Sequence, residues 1–173
     1  AAGYRFGGWT VNGAPAGTAN PLVTTATQGL QVEASFSPLP TVGVATASVA
    51  VVETQSRATV RVERTGDLSM ASTVVVQTAD GTATAGTDYV GLDGKVVAFG
   101  PGEASQGVDV TVLSRAGTQG ERSFTVSLSG AADSVLGAST ATVVIRDAPA
   151  FGYDRAGFPP PALLTLRQEG AAS

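Results

Sequence analysis

The side chains in this chain that could do chemistry are carboxylates, arginines and a single amine. Asp80, Asp88 and Asp93 lie close together in sequence, near enough to set a general acid beside a general base, and the only lysine, Lys95, follows directly. Neither Asp80 with Asp88 nor Asp88 with Asp93 has a spacing that identifies a reaction, because bare acidic pairs are common. Lys95 offers one alternative, a self-formed isopeptide to an Asn or Asp side chain. The remaining inventory is restrictive. There is no His and no Cys, which excludes a Ser-His-Asp triad, a thiolate nucleophile, disulfides and Cys/His metal sites. The expectation is a protein that is not an enzyme.

Charge and composition narrow the partners. Ten basic against 14 acidic residues give a net charge of −4 in 173 residues, the wrong sign for a non-specific nucleic-acid binder. Apolar runs such as Val49 to Val52 are far shorter than the roughly 18 residues of a membrane helix, so no membrane insertion is expected. Only 14% of residues are charged and 22 are Gly, a mix that favours short strands joined by turns. The lack of Cys, the scarcity of Lys and the Thr, Ser and Gly content fit an extracellular or cell-surface setting.

A period of two then locates the elements. Val60 and Val62 alternate with Arg61 and Glu63, Val108 and Val110 with Asp109, and Phe124, Val126 and Leu128 with Thr125 and Ser127. Seven strands are predicted, over 47–52, 58–64, 73–78, 95–99, 108–113, 122–129 and 140–146. Turn signals at Thr65-Gly66-Asp67, Asp80-Gly81, Pro101-Gly102 and Gly117 separate them. That pattern predicts an all-β, immunoglobulin-like sandwich over residues 41–148. The set Arg57, Thr59, Arg61 and Glu63 reads as the solvated side of a strand.

Two smaller regions flank the sandwich. Residues 1–40 carry the only Trp, in Tyr4-Arg5-Phe6-Gly7-Gly8-Trp9, an alternating Leu30, Val32, Ala34, Phe36 strand, and a stiff connector Ser37-Pro38-Leu39-Pro40. A β unit this small needs something to pack on. Residues 149–173 form a Pro-rich extended tail with Phe151, Tyr153 and Phe158 around Pro159-Pro160-Pro161, ending in the apolar Leu163, Leu164 and Leu166. These leucines are the candidate assembly residues. An incomplete sheet at one end and a spare strand at the other predict a homo-oligomer, extending into filaments by strand exchange between neighbours, or else contacts with neighbouring domains of a longer chain.

The segment Asp80-Gly81-Thr82-Ala83 with Ala85-Gly86-Thr87-Asp88-Tyr89, followed by Phe99-Gly100-Pro101-Gly102-Glu103, closely resembles the Calx-β family, and the resemblance covers about residues 45–148. The N-terminal unit, through Gly3-Tyr4, Phe6, Trp9, Val32, Ala34 and Phe36, resembles the second half of an internalin B-repeat-like bacterial surface repeat, and would then lack its first strands. In the Calx-β motif, Gly81 is expected to supply a turn with positive φ and Gly86 a second bend. Asp88 is expected to accept backbone N–H bonds, and Tyr89 to pack inward.

The resemblance also implies a calcium question. Calcium-sensing members hold ions in a carboxylate cluster at one end of the sandwich, and calcium takes roughly 6 to 8 oxygen ligands. The positions that match are Glu53, Asp80, Glu121 and Asp147. The loop after the fifth strand reads Leu113-Ser114-Arg115-Ala116-Gly117 and the last strand ends Arg146-Asp147-Ala148, where sensors carry several acids. Arg115, Arg122 and Arg146 stand at or beside those depleted positions, so the expectation is a calcium-independent, salt-bridged end and no cofactor. The role implied is a structural or adhesive module of a bacterial surface protein. The alternative is a calcium-tuned interaction module of a large secreted protein.

Overall fold

The computed structural model describes residues 3–26 and 29–148. The tail motifs, including Leu163, Leu164 and Leu166, lie outside the described residues. A three-stranded antiparallel sheet comes first, in the order β2-β1-β3, built from β1 (Tyr4–Val11), β2 (Ala14–Gly17) and β3 (Val32–Pro38). The β1–β2 hairpin turns on Asn12-Gly13, both at positive φ, the pair that a two-residue turn between twisted strands requires. The expected connector from Ser37 is partly strand, since β3 runs through Pro38 and the Leu39 N–H donates to Gly3 O at 2.9 Å.

The sandwich follows. One sheet has the order β5-β12-β10-β7-β8, from β5 (Ser48–Val52), β12 (Thr140–Arg146), β10 (Arg122–Ala132), β7 (Ser72–Asp80) and β8 (Lys95–Phe99). The other has the order β11-β4-β6-β9, from β11 (Val135–Leu136), β4 (Thr41–Val44), β6 (Arg57–Thr65) and β9 (Ser105–Thr111). Each of the seven predicted strands is present. The two additions are short: β4, which lies antiparallel to β6 before the chain crosses to the other sheet as β5, parallel to β12, and β11, which lies parallel to β4. Among the described residues no helix is long and apolar enough to cross a membrane.

The core is built largely of valine. Val42, Val60, Val62, Val74, Val76 and Val108 are fully buried, with Phe99, Phe124 and Ile145 filling the wider spaces. Along β6 buried and exposed positions alternate. The outward set is solvated as expected, with Arg57 and Thr59 on Asp109 and Arg61 on Glu63. Lys95 is exposed at the start of β8.

One inward position of β6 is not apolar. Arg64 is 1% exposed and has no carboxylate partner among the described residues. All its bonds go to neutral acceptors: Glu103 O and Gly100 O at 3.0 and 2.8 Å, Met70 O and Leu68 O at 2.6 and 3.4 Å, and Ser72 Oγ at 3.1 Å. The guanidinium also lies over the Phe99 ring, 5.4 Å from its centre. Five donors in a fixed fork meet five acceptors. The Pro101-Gly102-Glu103 turn supplies part of this cage, and Glu103 Oε2 holds it by accepting from the Gly100 N–H at 2.7 Å and from Gln106 Nε2 at 3.0 Å.

Replacing Arg64 should therefore cost more than its side-chain volume. Arg64→Met leaves four part-buried carbonyls without this donor, each worth up to about 1–3 kcal/mol where water cannot replace it. Arg64→Lys keeps the charge but offers only three donors, and should recover part of that loss. Urea unfolding with an unchanged slope measures both; equal stability of Arg64→Met and wild type would contradict this account.

Candidate functional site

The candidate site lies at the other pole of the sandwich, where Arg122 opens β10. Residues 122, 124, 126 and 128 all point inward, so strand periodicity carries a guanidinium into the end of the core. Arg122 is 5% exposed, and three carboxylates surround it. Nη2 donates to Glu53 Oε2 at 3.0 Å, and Nη1 to Asp147 Oδ1 at 2.9 Å. Nε lies 3.0 Å from Asp88 Oδ1, an ion-pair approach whose N–H direction falls short of a hydrogen bond. Nη1 also reaches Gln119 Oε1 and Gly120 O, at 3.2 and 3.3 Å.

Distant segments position each carboxylate. Glu53 sits on a single 3-10 turn, Glu53–Gln55, which Gln55 closes by accepting the Val52 N–H at 3.0 Å; Ser56 ends it at φ 58°. Asp147 follows β12, and its second oxygen takes the N–H groups of Gln119 and Gly120 at 2.9 and 2.7 Å. Asp88 accepts the Thr84 N–H at 2.9 Å and a second ion pair from Arg115 Nη1 at 3.0 Å. The Arg115 side chain is 40% exposed, so its attraction is screened where that of Arg122 is not.

The electrostatics follow from these contacts. Burial pushes the Asp88 carboxyl up, but the Thr84 N–H and the Arg115 and Arg122 guanidinia outweigh it and hold it below its ordinary 3.8. Asp147 is also held below 3.8, first by the Gly120 N–H and then by Arg122. Burial alone would favour a neutral Arg122; its bonds to Glu53 and Asp147 and the Asp88 charge raise its proton affinity instead.

The sequence-matched carboxylates separate into two groups. Glu53 and Asp147 converge on Arg122. Asp80 stands apart, its Oδ1 accepting from the Tyr89 hydroxyl at 2.6 Å and from the Ala85 N–H at 2.8 Å. Glu121 pairs with Arg146 at 2.7 Å on the exposed surface. Asp88 takes the third place at Arg122, which the reading of Asp88 as a loop-fixing acceptor did not include. Its setting beside the inward Tyr89 was the available signal. Tyr89 is buried and stacks on Phe124 at 3.9 Å, and burial and the bond to Asp80 push its hydroxyl up to about 12.

The motif glycine works differently from expectation. Gly81 does not have positive φ, whereas Gly86 does, at 81°. A Cβ on Gly81 would stand 2.5 Å from Ser123 O. The loop is docked there, with Ala83 N–H on Ser123 O and Ser123 N–H on Thr82 Oγ1, both at 2.8 Å. Close approach to β10 is what excludes a side chain at residue 81. Asp80 and Asp93 also line an open cleft with Tyr89 and Leu92. With Asp80 tied to Tyr89 and Asp88 to two arginines, the carboxylates are arranged as structural anchors.

Comparison with known proteins agrees with this architecture. The model of the Calx-beta domain family matches residues 39–149, leaving the three-stranded sheet outside the match. Over 63 residues the chain is 43% identical to the sodium/calcium exchanger Calx of Drosophila melanogaster, covering 36% of this chain and 6% of the exchanger. Among solved structures, the apo form of the Calx CBD1 domain is similar with a TM-score of 0.60 and 31% identity, over 64% of this chain and 99% of that one. The calcium binding domain CBD12 of CALX1.1 is similar with a TM-score of 0.58 and 32% identity, over 61% of this chain and 45% of that one. The Calx CBD2 domain, at 17% identity and a TM-score of 0.61, shares the fold.

The lowered carboxyls at Arg122 set the pH response. Unfolded, Asp88 and Asp147 titrate near their ordinary value; folded, they stay charged to lower pH, so the unfolded chain binds more protons in that window. Their contribution is fully present above about pH 5 and is lost as pH falls below about 4. Thermal melts should be level from pH 7 to 5 and then decline, less steeply in Asp88→Asn. A stability that rises on acidification would contradict the assignment.

Proposed function

The chain belongs to the Calx-beta domain family over residues 39–149, and on that basis we propose that it is a non-catalytic module whose ion-binding pole is closed by its own arginine. The observation that carries this reading is the convergence of Glu53, Asp88 and Asp147 on the buried Arg122. A calcium ion needs about 6 to 8 oxygens free to turn toward it. Here the Asp147 oxygens are taken by Arg122 and two backbone N–H groups, those of Asp88 by Thr84 and two guanidinia, and Glu53 Oε2 by Arg122. The donor set does not fit the ion while Arg122 is present, because a cation would have to displace a buried positive charge.

In this reading the guanidinium does electrostatically what an ion does elsewhere in the family. It gathers carboxylates from the 3-10 turn, the Asp88 loop and the end of β12, and so fixes the loops without depending on calcium concentration. Such a module suits a structural or adhesive role in a bacterial extracellular or cell-surface protein, where beads are linked in series, by covalent tandem or by strand exchange into filaments. The likeness of the N-terminal sheet to a surface repeat belongs to the same proposal.

A second reading is favoured by one specific observation. Three carboxylates and two guanidinia leave one negative charge at this pole, and Arg115 is exposed enough to swing away. The chain would then be a calcium-tuned interaction module of a larger protein, as the likeness to a domain described as calcium binding suggests.

Melting temperatures with chelator and with excess calcium separate the two. A site filled at 100 times its dissociation constant adds about 2.7 kcal/mol; the expected change for wild type is none. Arg122→Gln should lose about 3–5 kcal/mol by stranding its carboxylates, and calcium should restore part of it. Calcium stabilisation of the wild type would overturn the closed-pole reading.

A further inference from the structure

The sandwich buries the apolar residues of its core, with Met70, Val90, Val96, Val135 and Leu136 exposed outside it, while the small sheet leaves an aromatic face uncovered. Phe6 and Trp9 meet edge to face at 5.1 Å, and Phe6 and Phe36 at 5.6 Å. With Asn20 they line a cleft of about 300 Å³. Trp9 Nε1 is satisfied by Ala19 O at 3.0 Å, so the indole offers the cleft only apolar surface. Phe36 is 54% exposed, and every residue of β3 is exposed. β3 is also an edge strand, with β1 on one side and no strand of the described residues on the other.

We propose that this face is an acceptor for residues 158–166 of a second copy of the chain, with Phe158-Pro159-Pro160-Pro161 in the aromatic cleft and Leu163 to Leu166 along the free edge of β3. Two recognition modes coincide here: aromatic-lined grooves take extended proline segments, and exposed edges take an added strand. The 25 residues that follow Ala148 hold six large apolar residues of the kind that such a surface covers: Phe151, Tyr153, Phe158, Leu163, Leu164 and Leu166.

Distance decides between the same chain and a neighbour. β12 ends beside Arg122, whereas the small sheet joins at Leu39-Pro40, at the opposite end of β6. The nine residues of β6 alone span about 30 Å. The ten residues from Ala148 to Phe158 reach about 33–36 Å only when fully stretched. A chain can cover its own face only with no slack, while a neighbour aligned head to tail is met directly. This contact is heterologous, so repetition builds an open chain rather than a closed dimer. It deepens the serial-linkage part of the proposed function and is independent of calcium, so each can fail without the other.

Trp9 is the only Trp, so its fluorescence reports on the acceptor face directly. Full-length protein should sediment with a mass that rises with concentration, its Trp9 emission moving to shorter wavelength over the same range. Leu164→Asp with Leu166→Asp changes no residue of the sandwich strands and should give monomers with red-shifted emission at every concentration; Phe36→Ser should do the same from the acceptor side. Wild type that stays monomeric at the highest concentration overturns the proposal. So does a Trp9 shift that the double variant abolishes but that does not vary with concentration, since the chain's own tail would then be the occupant.

Discussion

A buried guanidinium must find acceptors for its N–H groups and company for its charge, and the sandwich faces that demand at both ends of its core, with every N–H of Arg64 bonded and the Nε of Arg122 held by an ion-pair approach to Asp88 alone. Arg64 on β6 and Arg122 on β10 occupy inward positions where the strand alternation would otherwise place an apolar residue. Each is a strand-end position, where the opposing sheet no longer supplies a hydrophobic wall. The loops must close there, and loops bring carbonyls and carboxylates rather than methyl groups. An arginine at such a place binds loop backbone that would otherwise be held by water alone.

The two ends solve the problem with different chemistry. Arg64 is held by four carbonyls and a hydroxyl, and its charge is balanced by dipoles and the Phe99 ring. Its cage is drawn from two loops, residues 68–72 and 100–103. Arg122 is held by carboxylates that come from residues 53, 88 and 147, far apart in sequence. Removing one carboxylate there uncovers charge, whereas removing one carbonyl at Arg64 uncovers a dipole. The Arg122 end is therefore the one whose integrity follows pH and ions, and the Arg64 end the one that stays constant.

The strands were legible because a half-buried strand writes its face into a period of two, and the apolar alternation of Ala58, Val60 and Val62, of Val108, Val110 and Val112, and of Phe124, Val126 and Leu128 leaves little choice. The sheet change between β4 and β5 was not, since nothing in Thr41 to Val52 marks the crossing and both short strands are apolar. The two arginines were visible as residues, and Arg122 was expected to replace a cation. Arg64 was not singled out, because an arginine at the end of an alternating strand is usually solvated. Asp88 was read as a loop anchor, which it is, but its second role depends on Arg115 and Arg122, which no local pattern connects to it. Gly81 shows the same limit: turn chemistry suggested a backbone angle, and the actual cause is the nearness of Ser123 O, a contact 42 positions away.

The polar saturation of the sandwich has a consequence for where the molecule can interact. Its core residues are buried, its pole carboxylates are engaged and its outward strand positions carry short-range pairs such as Arg57 with Asp109. Such engaged positions offer a partner little free energy, since a new contact there must first break an existing one. The small sheet is the opposite case. It is one layer thick, its aromatic residues are half exposed and its β3 edge is unpaired, so covering it removes apolar surface from water without breaking anything. Fold and interaction are thus divided between the two parts: the closed sandwich supplies a fixed body, and the uncovered sheet supplies the surface on which binding is favourable.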